Sequence, residues 1–194
     1  MPSPIAHTTV GYLVYRASRR RLPHFQVRQA GPFPVLLVLA VVVSMLPDLD
    51  AVLGAITGDL ARFHNNGTHS LIVGAGVALL AAVLLSWRKR SHFLAWFWMI
   101  FASYGMHTVL DFFTYGGRGV MLFWPLSPVR FDSPFKLFYG VRWSEGWIST
   151  HHLWTIVSEF GFVLLVFLVL WLIEKLKEKI QGTKTRREWL YEEK

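Results

Sequence analysis

Residues 93–111 read FLAWFWMIFASYGMHTVLD, an aromatic and aliphatic run that a histidine and an aspartate close. A bilayer-spanning helix needs about 20 mainly apolar residues, and this run comes close. His107 and Asp111 are four apart, so on a helix they share one face and can point at one ion. Ionisable groups beside membrane-depth segments are costly and mark a protein interior or a functional cavity. The run therefore predicts a membrane helix with chemistry at one end.

Working outward, three further apolar stretches stand out: Phe33 to Met45, Leu71 to Trp87, and Leu153 to Ile173, the last interrupted by Glu159. The first is short and spans only if Pro34 starts it and the Pro47 region ends it. A semi-apolar helix is expected from Pro4 to Arg20, ahead of an arginine run. The chain is 53% hydrophobic and 16% charged, below the roughly 25% charge of soluble domains. The expectation is an all-α polytopic membrane bundle of about four spans plus an N-terminal helix. It forms a single domain over 1–194, with a basic tail at 174–194. The N-terminus lacks a basic region followed by a long apolar core, so no cleavable signal is expected. Cysteine is absent, which excludes disulfides and thiolate zinc knuckles.

The net charge of +8 could suggest nucleic acid, but its distribution argues for topology. Arg16, Arg19, Arg20, Arg21 and Arg28 precede the first strong span. Arg88, Lys89 and Arg90 fill the turn between the second and third. Lys175, Lys177, Lys179, Lys184, Arg186 and Arg187 follow the last. With four spans all three clusters fall on one side, which the positive-inside rule makes cytoplasmic. The implied setting is a multi-pass protein of the inner or plasma membrane whose partner is lipid, with no need of nucleic acid. The connection from Phe112 to His151 carries Trp124, Phe131, Phe135, Phe138, Tyr139, Trp143 and Trp147. Aromatic rings favour the headgroup level, so it reads as an interfacial cap.

Two more polar clusters lie toward the non-cytoplasmic face. Pro47-Asp48-Leu49-Asp50 ends an apolar helix, either as a stop signal with solvated aspartates or as metal-ligating carboxylates. His64-Asn65-Asn66-Gly67-Thr68-His69-Ser70 is a turn into the next helix, with Thr68 or Ser70 as its N-cap. His7 joins them if the first helix runs antiparallel to the second. Together His7, Asp48, Asp50, His64, His69, His107 and Asp111 form a candidate site for a divalent metal. Imidazole and carboxylate donors suit Zn, with Mn or Fe as alternatives. His24 and His92 sit in basic stretches and are set aside. His151 and His152 flank the last span on the site side and are lesser candidates for a substrate or metal role, while Glu159, two turns inside that span, is either functional or paired with a neighbouring helix.

The order His7, Met45-Leu46-Pro47-Asp48-Leu49-Asp50, His64 to Thr68-His69-Ser70, Tyr104-Gly105-Met106-His107 to Asp111, and Trp124-Pro125 resembles the YdjM-like membrane-bound metal-dependent hydrolases. The resemblance covers roughly residues 4–130, and the family looks like a distant relative of helical zinc-dependent phospholipases C. It implies a hydrolase acting on a lipid phosphoester or another ester at the membrane surface. The same metal set is implied, with Asp48, Asp50 and Asp111 as catalytic carboxylates, as ligands or as a general base. Arg118 and Arg130 of the cap are candidates for holding an anionic headgroup. Two departures matter. The family's His-Arg is His64-Asn65 here, with Arg62 the nearest replacement. No His-x-x-x-Glu pair follows either, since Thr155 and Ile156 lie four residues beyond His151 and His152. One or two ions are expected, not three. The rivals are a non-catalytic membrane protein stapled by a structural metal or polar cluster, and an ion carrier.

Overall fold

The computed structural model describes residues 3–22, 33–58, 64–87, 90–141 and 149–192, apart from the side chains of residues 55, 91 and 182–192. The sequence readings on His24, Arg28, Arg62, Arg88, Lys89, Trp143 and Trp147, and on the side chains of Lys184, Arg186 and Arg187, lie outside the described residues. Helix α1 (Pro4–Ser18) starts where Ser3 accepts a hydrogen bond from the Ile5 N–H. Proline in the first turn suits this start, because a donor there has no intrahelical partner.

Helix α2 (Val35–Met45) leaves Pro34 as expected. The Pro47 step does not end the helical run. A 3-10 turn (Leu46–Asp48) carries the chain into α3 (Leu49–Thr57). The Leu46 N–H bonds to Val43 O and the Leu49 N–H to Leu46 O, so three-residue bonds step around the donor that Pro47 lacks. As a result Val35–Gly54 forms one apolar stretch long enough to cross a membrane.

Helix α4 (Leu71–Ser86) is capped by Ser70, whose hydroxyl accepts from the Ile72 N–H. Helix α5 (Phe93–Phe112) contains the opening run, and α6 (Thr150–Glu192) continues well past Ile173, where the apolar stretch was expected to give way to a tail. Three helical stretches, Val35–Gly54, Phe93–Phe112 and Thr150–Gln181, have the length and hydropathy to span a bilayer, and α4 is a shorter apolar helix. Large apolar side chains such as Leu80, Leu84 and Trp98 are exposed. In a membrane that surface faces lipid.

Two compact units are distinguished, Met1–Glu159 and Phe160–Lys194. In the first, α1 packs on α2 and α5, and α4 packs on α5. Val14, Leu36, Val43, Ala78, Trp96 and Ile100 lie in its core. Two glycines permit the closest approaches. A Cβ on Gly11 would stand 2.8 Å from Val41 Cα, and one on Gly74 would stand 2.7 Å from the Tyr104 ring. Small residues let helix backbones approach in this way. The second unit is helical and exposes Leu164, Leu165, Leu168 and Trp171.

The connection after α5 is ordered by its backbone. Strands β1 (Thr114–Tyr115) and β2 (Phe138–Tyr139) pair in parallel, and Val120 bridges Phe131. The Leu71 N–H bonds to Leu122 O at 3.0 Å, and the Ser70 hydroxyl donates to Trp124 O at 2.6 Å. These bonds seat the loop on the start of α4, beside the polar clusters. Leu126 and Phe135 project outward, as an interfacial cap requires.

Candidate metal centre

Four chain segments deliver the polar groups to one end of the helical unit. His7 lies one turn into α1 and Asp48 in the turn after α2. His64 and His69 precede α4, and His107 and Asp111 end α5. The structure brings all seven candidates together. Asp48, His69, His107 and Asp111 form one group, and Asp48, Asp50, His64 and His69 form a second that shares two members with it.

The first group has the spacing of a coordination shell. His69 Nε2 lies 3.0 Å from Asp111 Oδ2, 3.5 Å from Asp48 Oδ1 and 3.1 Å from His107 Nε2. His107 Nε2 lies 3.4 Å from Asp48 Oδ1 and 3.6 Å from Asp111 Oδ2. Donors of a tetrahedral zinc ion at ~2.0–2.1 Å stand about 3.4 Å from one another. Five of the six edges of such a tetrahedron are therefore matched by these distances.

The histidine tautomers follow from their other partners. His107 Nδ1 donates to Ser44 O at 2.8 Å. Thr68 gives its hydroxyl hydrogen to Asp50 Oδ2 at 2.6 Å, so it accepts from His69 Nδ1 at 3.1 Å. His64 Nδ1 donates to Asp50 Oδ1 at 2.9 Å. Each Nε2 is left as the acceptor, and a carboxylate or carbonyl on the far nitrogen is the usual support of a metal-ligating histidine. His7 stacks on His107 at 3.8 Å, with Nε2 3.9 Å from Asp111 Oδ1. Both of its ring nitrogens, both Asp111 oxygens, Asp48 Oδ1 and His64 Nε2 are buried without a hydrogen bond. Buried polar atoms without partners are rare, and imidazole and carboxylate donors together fit a divalent cation.

Electrostatics agree. Burial, and then repulsion from His107, push His7 down to about 3, which leaves a neutral ring able to ligate. Burial alone would lower His69, but the carboxylates of Asp111, Asp48 and Asp50, 3.0–3.5 Å from its ring nitrogens, outweigh it and hold its value well above the ordinary one. Without an ion, a proton on His69 answers the surrounding carboxylates.

The cap arginines divide. Arg130 donates to Asn65 O, Gly119 O and Asn66 Oδ1 at 2.6–3.0 Å, so its guanidinium orders the turn that carries His64. Arg118 is exposed and donates to His64 O at 3.1 Å. His151 Nε2 donates to Gly140 O at 2.8 Å and so ties α6 to the cap. Sequence reasoning missed Ser44, whose hydroxyl also donates to His7 O at 2.9 Å. Its position four residues before Asp48, one turn back, was the available signal.

Fold and site together define a helical membrane protein with a buried histidine–aspartate centre. The chain belongs to the family described as YdjM inner membrane protein, which it matches over residues 1–179. It is similar to the inner membrane protein YbcI of Escherichia coli (strain K12), at 32% identity over 108 residues. That match covers 54% of this chain and 61% of the relative, under two thirds of its length. No solved structure matches the chain significantly.

Proposed function

We propose that this protein is a metal-dependent hydrolase acting on a phosphoester or other ester of a membrane lipid. The observation that carries the reading is the near-tetrahedral spacing of Asp48, His69, His107 and Asp111, of which Asp48 Oδ1 and both Asp111 oxygens are buried without a hydrogen bond. A divalent cation bound there would lower the pKa of a water and polarise the ester oxygen. Asp48 and Asp111 supply carboxylate ligands, and Asp50 orients His64 and His69. Asp48 and His64 are the members open to solvent, at 11% and 14% side-chain exposure, and they mark where substrate enters. His64 Nε2, with Nδ1 held by Asp50, is placed to take a proton from water. The exposed Arg118 guanidinium beside His64 suits an anionic headgroup. Zinc is the favoured ion, with Mn or Fe as alternatives.

One observation favours a non-catalytic staple: His7, His69 and His107 are fully buried, as in a closed structural site. A carrier needs polar groups across the membrane depth, whereas the described candidates gather at one end, with Glu159 as the deeper exception. Metal analysis of the purified protein, followed by assay against a phospholipid panel, separates the readings. Asp111→Asn should lose both metal and hydrolysis, while Arg118→Ala should keep its metal and raise KM. Full metal and full activity in Asp111→Asn would refute the mechanism at its centre. Tight metal binding without hydrolysis of any lipid would establish the staple.

A further inference from the structure

Among the described residues, the most buried acidic group outside the metal cluster is Glu159, two turns into α6 and 0% exposed, although its neighbours Ile156 and Phe160 are about half exposed. A carboxylate at membrane depth is expensive and needs a partner. Here the partner is Ser3, whose backbone N–H donates to one Glu159 oxygen and whose hydroxyl donates to the other. Ser3 is the N-cap of α1, so the carboxylate also meets the positive end of that helix dipole.

We propose that Glu159 is a positioning residue of the metal centre, clamping Ser3 so that the first helix holds His7 against Asp111. Ser3 and His7 are four residues apart, one turn along one face. The His7 ring makes no hydrogen bond of its own, so its place is set by stacking on His107 and by its backbone. That backbone is tied at His7 O by Ser44, and the helix is packed on α2 at Gly11, one turn further on, so both of these holds lie at or beyond His7 and neither fixes the end that precedes it. The Glu159–Ser3 clamp holds that end and fixes the axis. Ligand distances must hold to within ~0.2 Å, and His7 Nε2 lies 3.9 Å from Asp111 Oδ1, beside the group of Asp48, His69, His107 and Asp111, so a small pivot of the first helix would carry its ring away from an ion held there. The inference rests on the cluster being a metal centre.

The test is Co2+ titration of the full-length protein in lipid nanodiscs, following the visible ligand-field spectrum for wild type, Glu159→Ala, Glu159→Gln, His7→Ala and the double variant His7→Ala/Glu159→Ala. Glu159→Ala should weaken Co2+ binding about 10–100-fold, the range for lost support of a ligand, and shift the spectrum toward that of His7→Ala. In the His7→Ala background the same substitution should change nothing further, because coupled residues are non-additive. Glu159→Gln keeps the side-chain volume and should give an intermediate loss, which protects the test if the alanine variant folds poorly. Equal weakening in both backgrounds would show a general structural effect and overturn the proposal. A wild-type affinity and spectrum in both Glu159 variants would overturn it too. A wild-type protein that takes up no Co2+ would remove the metal reading and this proposal together.

Discussion

Gly11→Ala probes how closely the first two helices must meet. The added Cβ would stand 2.8 Å from both Val41 Cα and Ser44 Oγ, and 3.1 Å from Ala40 O. Ordinary contact begins at 3.4 Å, so α1 must withdraw by roughly 0.6 Å, the difference between those distances. Two of the opposing atoms are backbone and cannot rotate away. Overpacking of this kind costs about 1–3 kcal/mol. The same withdrawal would stretch the 2.9 Å bond from Ser44 to His7 O to about 3.5 Å, past useful length. It is also several times the ~0.2 Å tolerance of a metal bond. Gly11→Ala should therefore lose stability and bind metal about 10-fold more weakly or worse. Gly76→Ala is the control: nothing lies within 4 Å of its Cβ, so it should be neutral or slightly stabilising, by up to ~1 kcal/mol. Calorimetric metal titration and thermal unfolding in detergent measure both effects. Wild-type affinity and stability in Gly11→Ala would refute the argument that helix contact sets the position of His7.

Other expectations follow from the centre. Asp50→Asn should retain bound metal at saturation but weaken its affinity about 10–100-fold, because Asp50 orients ligands; a metal content of zero in metal-saturated samples would make it a ligand. His69 has a folded-state value above its unfolded one, so its protonation stabilises the metal-free fold below about pH 6.5, and that contribution fades as pH rises through the folded value. Because an ion needs the unprotonated ring, metal affinity should rise with pH and binding should release protons. Calorimetry in buffers of different ionisation enthalpy reads this, and the absence of proton release would contradict it. The basic clusters should be cytoplasmic, so a cysteine near Lys136 should react with an impermeant thiol reagent in intact cells and one near Lys89 should not. The reverse pattern would invert the topology.

The apolar helices were legible because hydrophobic length is a one-dimensional property: Phe93–Phe112 and Leu71–Ser86 stand almost where their apolar runs do. The segment after Pro47 was not, since a proline reads as a stop and only backbone geometry shows a 3-10 turn passing it. Among site residues, His107 and Asp111 were legible from i,i+4 spacing. His7 entered only through sidedness. Ser44 acts mainly through its backbone carbonyl and a hydroxyl bond to another helix, which residue type does not encode. Arg130 looked like a headgroup contact because a guanidinium suits an anion, but its donors are turned onto carbonyls of the His64 turn. The partnership of Glu159 with Ser3 joins positions 156 apart, and no local pattern announces it.

The scattering of the centre along the chain bears on biogenesis. Its groups lie at positions 7, 48, 64–69 and 107–111, so a ribosome delivers the first about a hundred residues before the last. No fragment that ends before α5 holds the full donor set, and without it the imidazoles and carboxylates already inserted face one another uncompensated. Loading of an ion would thus be confined to a late step, after the helices have found their neighbours. From then on, the free energy of ion capture would be added to that of the assembled bundle. Chelation during synthesis should accordingly leave more protein open to membrane proteases than chelation afterwards.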